Sequence, residues 1–122
     1  MKRAVTGTRP GGPYSPGIIA QGTFLYVSGQ TPQRDGKVVL GTIEEETRLT
    51  LDNIGRVLES AGASFADVVR CGVFLTDLEN FGAMNAVYET YFPEPRPART
   101  TVGVALLDGM KIEIDCVVAL PA

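Results

Sequence analysis

Apolar and polar residues alternate over Val68–Leu75: Val69, Cys71, Val73 and Leu75 fall on one side, and Val68, Arg70, Gly72 and Phe74 on the other. A period of two with apolar residues on both sides predicts a strand covered in part on both faces. The same period runs through Lys111-Ile112-Glu113-Ile114-Asp115, where the isoleucines share one face and the two carboxylates the other. It predicts a strand over Ile112–Leu120, preceded by another over Thr100–Leu106 across the turn sequence Leu107-Asp108-Gly109-Met110. Ile18–Ala20 and Phe24–Ser28, on either side of Gln21-Gly22, read as a short strand pair.

Between these strands the period lengthens to three and four. Ile43, Thr47, Leu51, Ile54, Leu58 and Ala61 form one helical stripe, with Gly62 placed as a left-handed stop. Thr42-Ile43-Glu44-Glu45 supplies a capping box at its start. A second helix is expected after Asp77, with Phe81, Met84, Asn85, Tyr88 and Phe92 pointing inward, ended by Pro93, Pro95 and Pro97. The opening segment through Pro16, with Pro10-Gly11-Gly12-Pro13, reads as irregular, and residues 31–41 as a turn or short hairpin around Asp35-Gly36. The order of strands, helix, strand, helix, strand, strand predicts an α+β fold. Two helices lie on one face of a mixed sheet, with a right-handed parallel crossover between residues 67 and 106.

At 122 residues the chain is one domain, 1–122. No apolar run is long enough for a bilayer crossing, so no membrane contact is expected. Lys2 and Arg3 are not followed by an apolar stretch, which excludes a secretory leader from the reading and leaves the cytoplasm as the expected compartment. The net charge is −3 and the eleven basic residues are scattered, so nucleic acid is not an expected partner.

The chain has no histidine, which removes Ser-His-Asp triads, Cys-His pairs and imidazole bases or metal ligands. Cys71 and Cys116 lie in apolar strand-like runs without metal-ligand spacing, and are expected to be buried, reduced core thiols. No metal is expected.

Three residues stand out. Arg99 opens an apolar strand after Pro97-Ala98, where its planar fork suits a carboxylate, although an ion pair within the protein would equally explain it. Glu113 shares a face with Asp115; on a wet face both would be ordinary, whereas against another subunit a part-buried carboxylate can act as acid or base. Asn85 falls on an apolar stripe, where its amide either holds a loop or meets a ligand. Tyr14 and Ser28 suit local backbone networks as readily as a binding site.

Gly12-Pro13-Tyr14, Ser28-Gly29-Gln30-x-Pro32, Leu51-Asp52-Asn53, Asp67-Val68-Val69, Asn85-x-x-Tyr88, Pro97-Ala98-Arg99 and Lys111-Ile112-Glu113-Ile114 span residues 12 to about 119. In this order and spacing they resemble the RidA (YjgF) family of reactive-intermediate deaminases. The resemblance implies a chorismate-mutase-like fold and a homotrimer with a central barrel, carrying its ligand sites between subunits. It places the substrate-carboxylate arginine at Arg99 and the glutamate of the hydrolytic water at Glu113. Tyr14, Ser28, Gly29 and Asn85 become lining residues. Thr101 stands where such deaminases often have cysteine, keeping a hydroxyl and a backbone N–H for the carboxylate.

The implied reaction is cofactor-free hydrolysis of reactive 2-imino acids, such as those from 2-aminoacrylate and 2-aminocrotonate, to 2-keto acids and ammonia. Its physiological setting would be metabolite damage control. A pathway-specific deaminase acting on an aminomuconate or aminoacrylate, and a non-catalytic module binding a small carboxylate, remain alternatives. The ribonuclease activity attributed to relatives fits poorly with an acidic, histidine-free chain. Arg99 and Glu113 each open one of two oppositely directed strands, which puts them near opposite ends of one subunit's sheet. A single site using both therefore requires two subunits.

Overall fold

The computed structural model describes residues 2–122; Met1, part of the opening segment, lies outside the described residues. The elements are β1 (Lys2–Val5), β2 (Gly17–Ala20), β3 (Phe24–Gln30), β4 (Gln33–Arg34), β5 (Lys37–Val38), α1 (Ile43–Ser60), β6 (Val68–Leu75), α2 (Phe81–Tyr88), β7 (Ala98–Gly103) and β8 (Ile112–Ala119). A four-stranded mixed sheet in the order β3-β8-β6-β7 carries the fold. β6 and β7 are parallel, as expected of the strand-helix-strand step, and β8 is antiparallel to both its neighbours, β3 and β6.

α1 begins as its sequence dictates. The Thr42 hydroxyl accepts from the Glu45 N–H at 3.1 Å and the Glu45 carboxylate accepts from the Thr42 N–H at 2.9 Å, closing the capping box. The helix ends at Ser60, and Gly62 takes φ +72°, the left-handed conformation that costs glycine nothing. Leu51, Ile54 and Leu58 pack with Val73, Ile112, Ile114 and Val118 in one core on the helical side of the sheet. The other side stays open: Tyr26, Arg70, Thr100 and Val102 are exposed along it.

Two expectations about the strands fail. Ile18–Ala20 does not pair with Phe24–Ser28. Instead β2 pairs with β1, inside the opening segment expected to be irregular, and β3 pairs with β8 from Phe24↔Ala119 to Val27↔Cys116. The seven-residue β3 gains a longer ladder beside β8 than the four-residue β2 could offer, and it brings Val27 into the core. The Lys111-to-Ala119 alternation holds as read, with Ile112, Ile114, Cys116 and Val118 buried.

The second helix is shorter than its apolar pattern. Asp77 caps a 3₁₀ turn at Leu78–Asn80, accepting from the Glu79 N–H at 2.9 Å, and α2 proper stops at Tyr88. Pro93 disfavours helical backbone at Phe92, so the chain turns through residues 89–91 first. Phe92 still reaches the core, stacked on Tyr88 at 4.4 Å between ring centres. β7 starts at Ala98, two residues before expectation, which places Arg99 inside the strand rather than ahead of it.

Candidate functional site

β7 holds Arg99 level with Cys71 of β6, whose side chain faces the helices, so the guanidinium enters the space between the sheet and α2. Three rings surround it: its central carbon lies 4.8 Å from the ring centre of Tyr88, 4.9 Å from Tyr14 and 5.6 Å from Phe81. Rings at these distances attract a cation through their faces without supplying a hydrogen bond. All three guanidinium nitrogens are buried and none has a hydrogen-bond partner among the described residues. Burial pushes the Arg99 pKa down, against the pull of Tyr88 and Tyr14, yet arginine keeps its proton at any physiological pH. A desolvated cation with five unused donors is costly unless an anion meets it.

The neighbouring polar groups are also unpaired. Asn85 Oδ1, the Tyr88 hydroxyl and Thr101 Oγ1 are buried without hydrogen-bond partners among the described residues. Asn85 and Arg99 converge on Gly12, where a β-carbon would stand 3.3 Å from both Asn85 Nδ2 and Arg99 Nη2 and 3.1 Å from the Tyr14 ring. Glycine at position 12 thus lets the opening loop come down on the recess. Ser15 anchors that loop by donating its hydroxyl to the Arg96 carbonyl, and its N–H to Pro97 O at 3.2 Å. The Tyr14 hydroxyl accepts from the Gly11 N–H at 3.2 Å, which fixes the ring over Arg99. Arg99, Asn85 and Tyr14 are therefore together around Gly12, and Thr101 lies two residues along β7 from Arg99, level with Val73.

Glu113, Ser28 and Gly29 form a second group. Glu113 is level with Phe74 and Gly29 lies directly beneath its carboxylate, so closely that any side chain at position 29 would overlap it. The ladder between β3 and β8 shifts register between Val27 and Gln30, which leaves Ser28 and Gly29 at an irregularity on the exposed side. Asp115, two residues on, is engaged by the Gly72 N–H at 3.0 Å, whereas Glu113 forms no ion pair among the described residues. Within one chain, the structure does not bring this group to Arg99.

Residues 6–120 match the family model described as endoribonuclease L-PSP. The chain belongs to this family, the YjgF/RidA family. The fission-yeast protein mmf2, a mitochondrial protein, is 45% identical over 113 residues, covering 89% of each chain. The mouse 2-iminobutanoate/2-iminopropanoate deaminase is 38% identical over 87% of this chain and 80% of its own. Among solved structures, YyfA of Yersinia pestis, a Rid family protein of unknown function, superposes with a TM-score of 0.75 at 35% identity. That superposition covers 98% of this chain and all of the other. Deaminases thus occur within the family. The compartment of its members is not uniform, and no helix among the described residues is long and apolar enough to cross a membrane.

Other parts of this family member's site were less legible from sequence. Phe81 and Tyr88 read as core positions of a helix; Tyr88 is buried in the core and Phe81 is partly buried against it, and both also wall Arg99. Glu46 was missed, although its position three residues after Ile43 puts it on the buried stripe of α1, where a carboxylate needs partners. Both cysteines are buried and free, and they face each other across β6 and β8.

Proposed function

We propose that the protein is a cofactor-free deaminase that hydrolyses reactive 2-imino acids, in equilibrium with 2-aminoacrylate or 2-aminocrotonate, to 2-keto acids and ammonia. The observation that carries this reading is the buried Arg99 guanidinium, which has no acceptor among the described residues and is ringed by Tyr14, Phe81 and Tyr88. A carboxylate on that fork forms two parallel charge-assisted hydrogen bonds. Asn85 Oδ1 and Thr101 Oγ1 lie at hand for the imine nitrogen and the second carboxylate oxygen.

Water adds to the imine carbon as Glu113 takes its proton. That proton passes to the nitrogen to give a carbinolamine, whose hydroxyl proton then follows it to the nitrogen as the C–N bond breaks, so that the C=O forms and ammonia leaves. Imino acid plus water thus gives keto acid plus ammonia with no change of oxidation state. Positioned proton transfer of this kind contributes on the order of 10²- to 10⁴-fold.

Because Glu113 and Gly29 stand away from Arg99 in one chain, the site is assembled between subunits: Arg99, Tyr14, Asn85 and Thr101 come from one, and Ser28, Gly29 and Glu113 from the next. The assembly is a homotrimer whose open sheet faces line a central barrel, and the expected setting is metabolite damage control in the cytoplasm. The family's endoribonuclease description is not carried over to this chain, which has fourteen acidic against eleven scattered basic residues.

The test is release of ammonia and keto acid from freshly generated 2-aminoacrylate and 2-aminocrotonate. Arg99→Ala removes two charge-assisted bonds of about 1.5–3 kcal/mol each, so kcat/KM falls by roughly 10²- to 10⁴-fold at matched folded protein. No acceleration by the wild type would overturn the reading in favour of a non-catalytic carboxylate-binding module.

A further inference from the structure

The Glu46 side chain is 0% exposed, on the first turn of α1, and its two oxygens meet three donors. Oε1 accepts the Lys111 backbone N–H at 2.8 Å, and Oε2 accepts the Lys111 ammonium at 3.0 Å and the Gly41 N–H at 3.1 Å. The other side of Lys111 is held too, since its carbonyl accepts from the Thr76 N–H at 3.1 Å. The residue immediately before β8 is thus fixed at both its backbone N–H and its C=O. Ile112 follows, fully buried and paired with Leu75, and Glu113 is next.

An ion pair with a buried Glu46 and a part-exposed Lys111 is a poor route to stability, because desolvating the carboxylate consumes most of what the attraction returns, and two well-packed apolar residues would serve as well. What apolar residues cannot do is accept a hydrogen bond from the Lys111 backbone while tying down the Gly41 loop. We propose that Glu46 is a positioning residue for Glu113. It fixes where β8 begins, and through that the direction in which the Glu113 carboxylate leaves the sheet above Gly29. This inference rests on the role given to Glu113 above and extends it to the helical side of the sheet, where Glu46 touches no substrate.

The role predicts a loss in the chemical step without a loss in binding, since Arg99 on β7, Phe81 and Tyr88 on α2 and Tyr14 in the opening loop make no hydrogen bond with Glu46. The variant to use is the double replacement E46M/K111M, which keeps the volume of both side chains and leaves no unpaired buried charge. Its kcat falls by about 10- to 100-fold, the scale expected for a misplaced catalytic group, while KM is unchanged. E46Q, whose amide oxygen still accepts from the Lys111 N–H, restores most of the rate. Placed in an E113Q background, E46M/K111M causes no further loss, because the group it positions is already gone.

Thermal melting confirms that all variants are compared as folded protein. Wild-type kcat in E46M/K111M would overturn the positioning role, as would a loss that multiplies onto E113Q or a matching rise in KM. Absence of turnover in the wild type would instead sink the deaminase reading, and full activity of E113Q its assignment to Glu113, so the failures are told apart.

Discussion

Arg99 lies level with Cys71 and Glu113 level with Phe74, so their side chains leave opposite faces of one sheet, three residue steps apart along β6. Three steps amount to ~10 Å along the strand, before the width of β6 itself is added. A carboxylate and its adjacent imine carbon span far less. In the proposed deaminase the donors at Arg99 and the carboxylate at Glu113 are each half of the site, and a symmetric assembly is the economical way to join such halves.

The fit of Gly29 beneath Glu113 leads to a separable prediction. Gly29→Ala pushes the carboxylate aside, and because the overlap is with the end of a flexible side chain, the fold tolerates it. Steady-state kinetics should show kcat reduced about 10- to 100-fold with KM little changed. A Gly29→Ala enzyme at full speed would mean that the position of Glu113 does not matter to the reaction.

Two asparagines should respond in opposite ways. Asn53 Nδ2 donates to Thr31 O at 3.0 Å and to Gln33 O at 2.9 Å, tying α1 to the β4 hairpin, so Asn53→Ala leaves two carbonyls short of a donor. Urea unfolding should register a loss of about 1–3 kcal/mol. Asn85 Oδ1 has no protein partner to strand, so Asn85→Ala should cost under about 1 kcal/mol in the same experiment while raising KM for the imino acid. A large destabilisation at Asn85 would reassign it to the scaffold.

Burial pushes the Cys71 thiol up to about 12 and raises Cys116 as well. Ellman's reagent should therefore leave native protein unlabelled at pH 8 and label two thiols in denaturant, since the thiolate is the reactive form. The native state holds these protons more tightly than the unfolded chain. Their contribution to stability is present below the ordinary thiol pKa of 9.0 and is lost as pH rises from there towards about 12. Each thiol sets a slope of at most about 1.4 kcal/mol per pH unit across that window. Unfolding midpoints at pH 9 and pH 11 measure it, and Cys71→Ala should flatten it.

Periodicity placed α1, β6 and β8 because each buries a repeating face, and repetition is what a sequence displays. It failed for Ile18–Ala20, whose partner Lys2–Val5 is a polar, mostly exposed strand without an apolar pattern of its own. It also overran α2, where Pro93 acts on backbone several residues upstream of itself. In the site, Arg99, Asn85 and Tyr14 could be singled out as polar or turn residues in unusual places. Their convergence on Gly12 could not, because it joins a loop, a helix and an edge strand 87 residues apart along the chain.

The most direct test of the central claim is to mix two variants, Arg99→Ala and Glu113→Gln, each slowed about 10²-fold or more as a homogeneous assembly but with a measurable residual rate. Refolded or co-expressed together they should regain a substantial fraction of imino-acid hydrolysis, because in the proposed trimer mixed assemblies contain interfaces at which an intact Arg99 faces an intact Glu113. Mixed assemblies that form and gain nothing over the separate variants, or either variant near the wild-type rate by itself, would contradict a site shared between subunits.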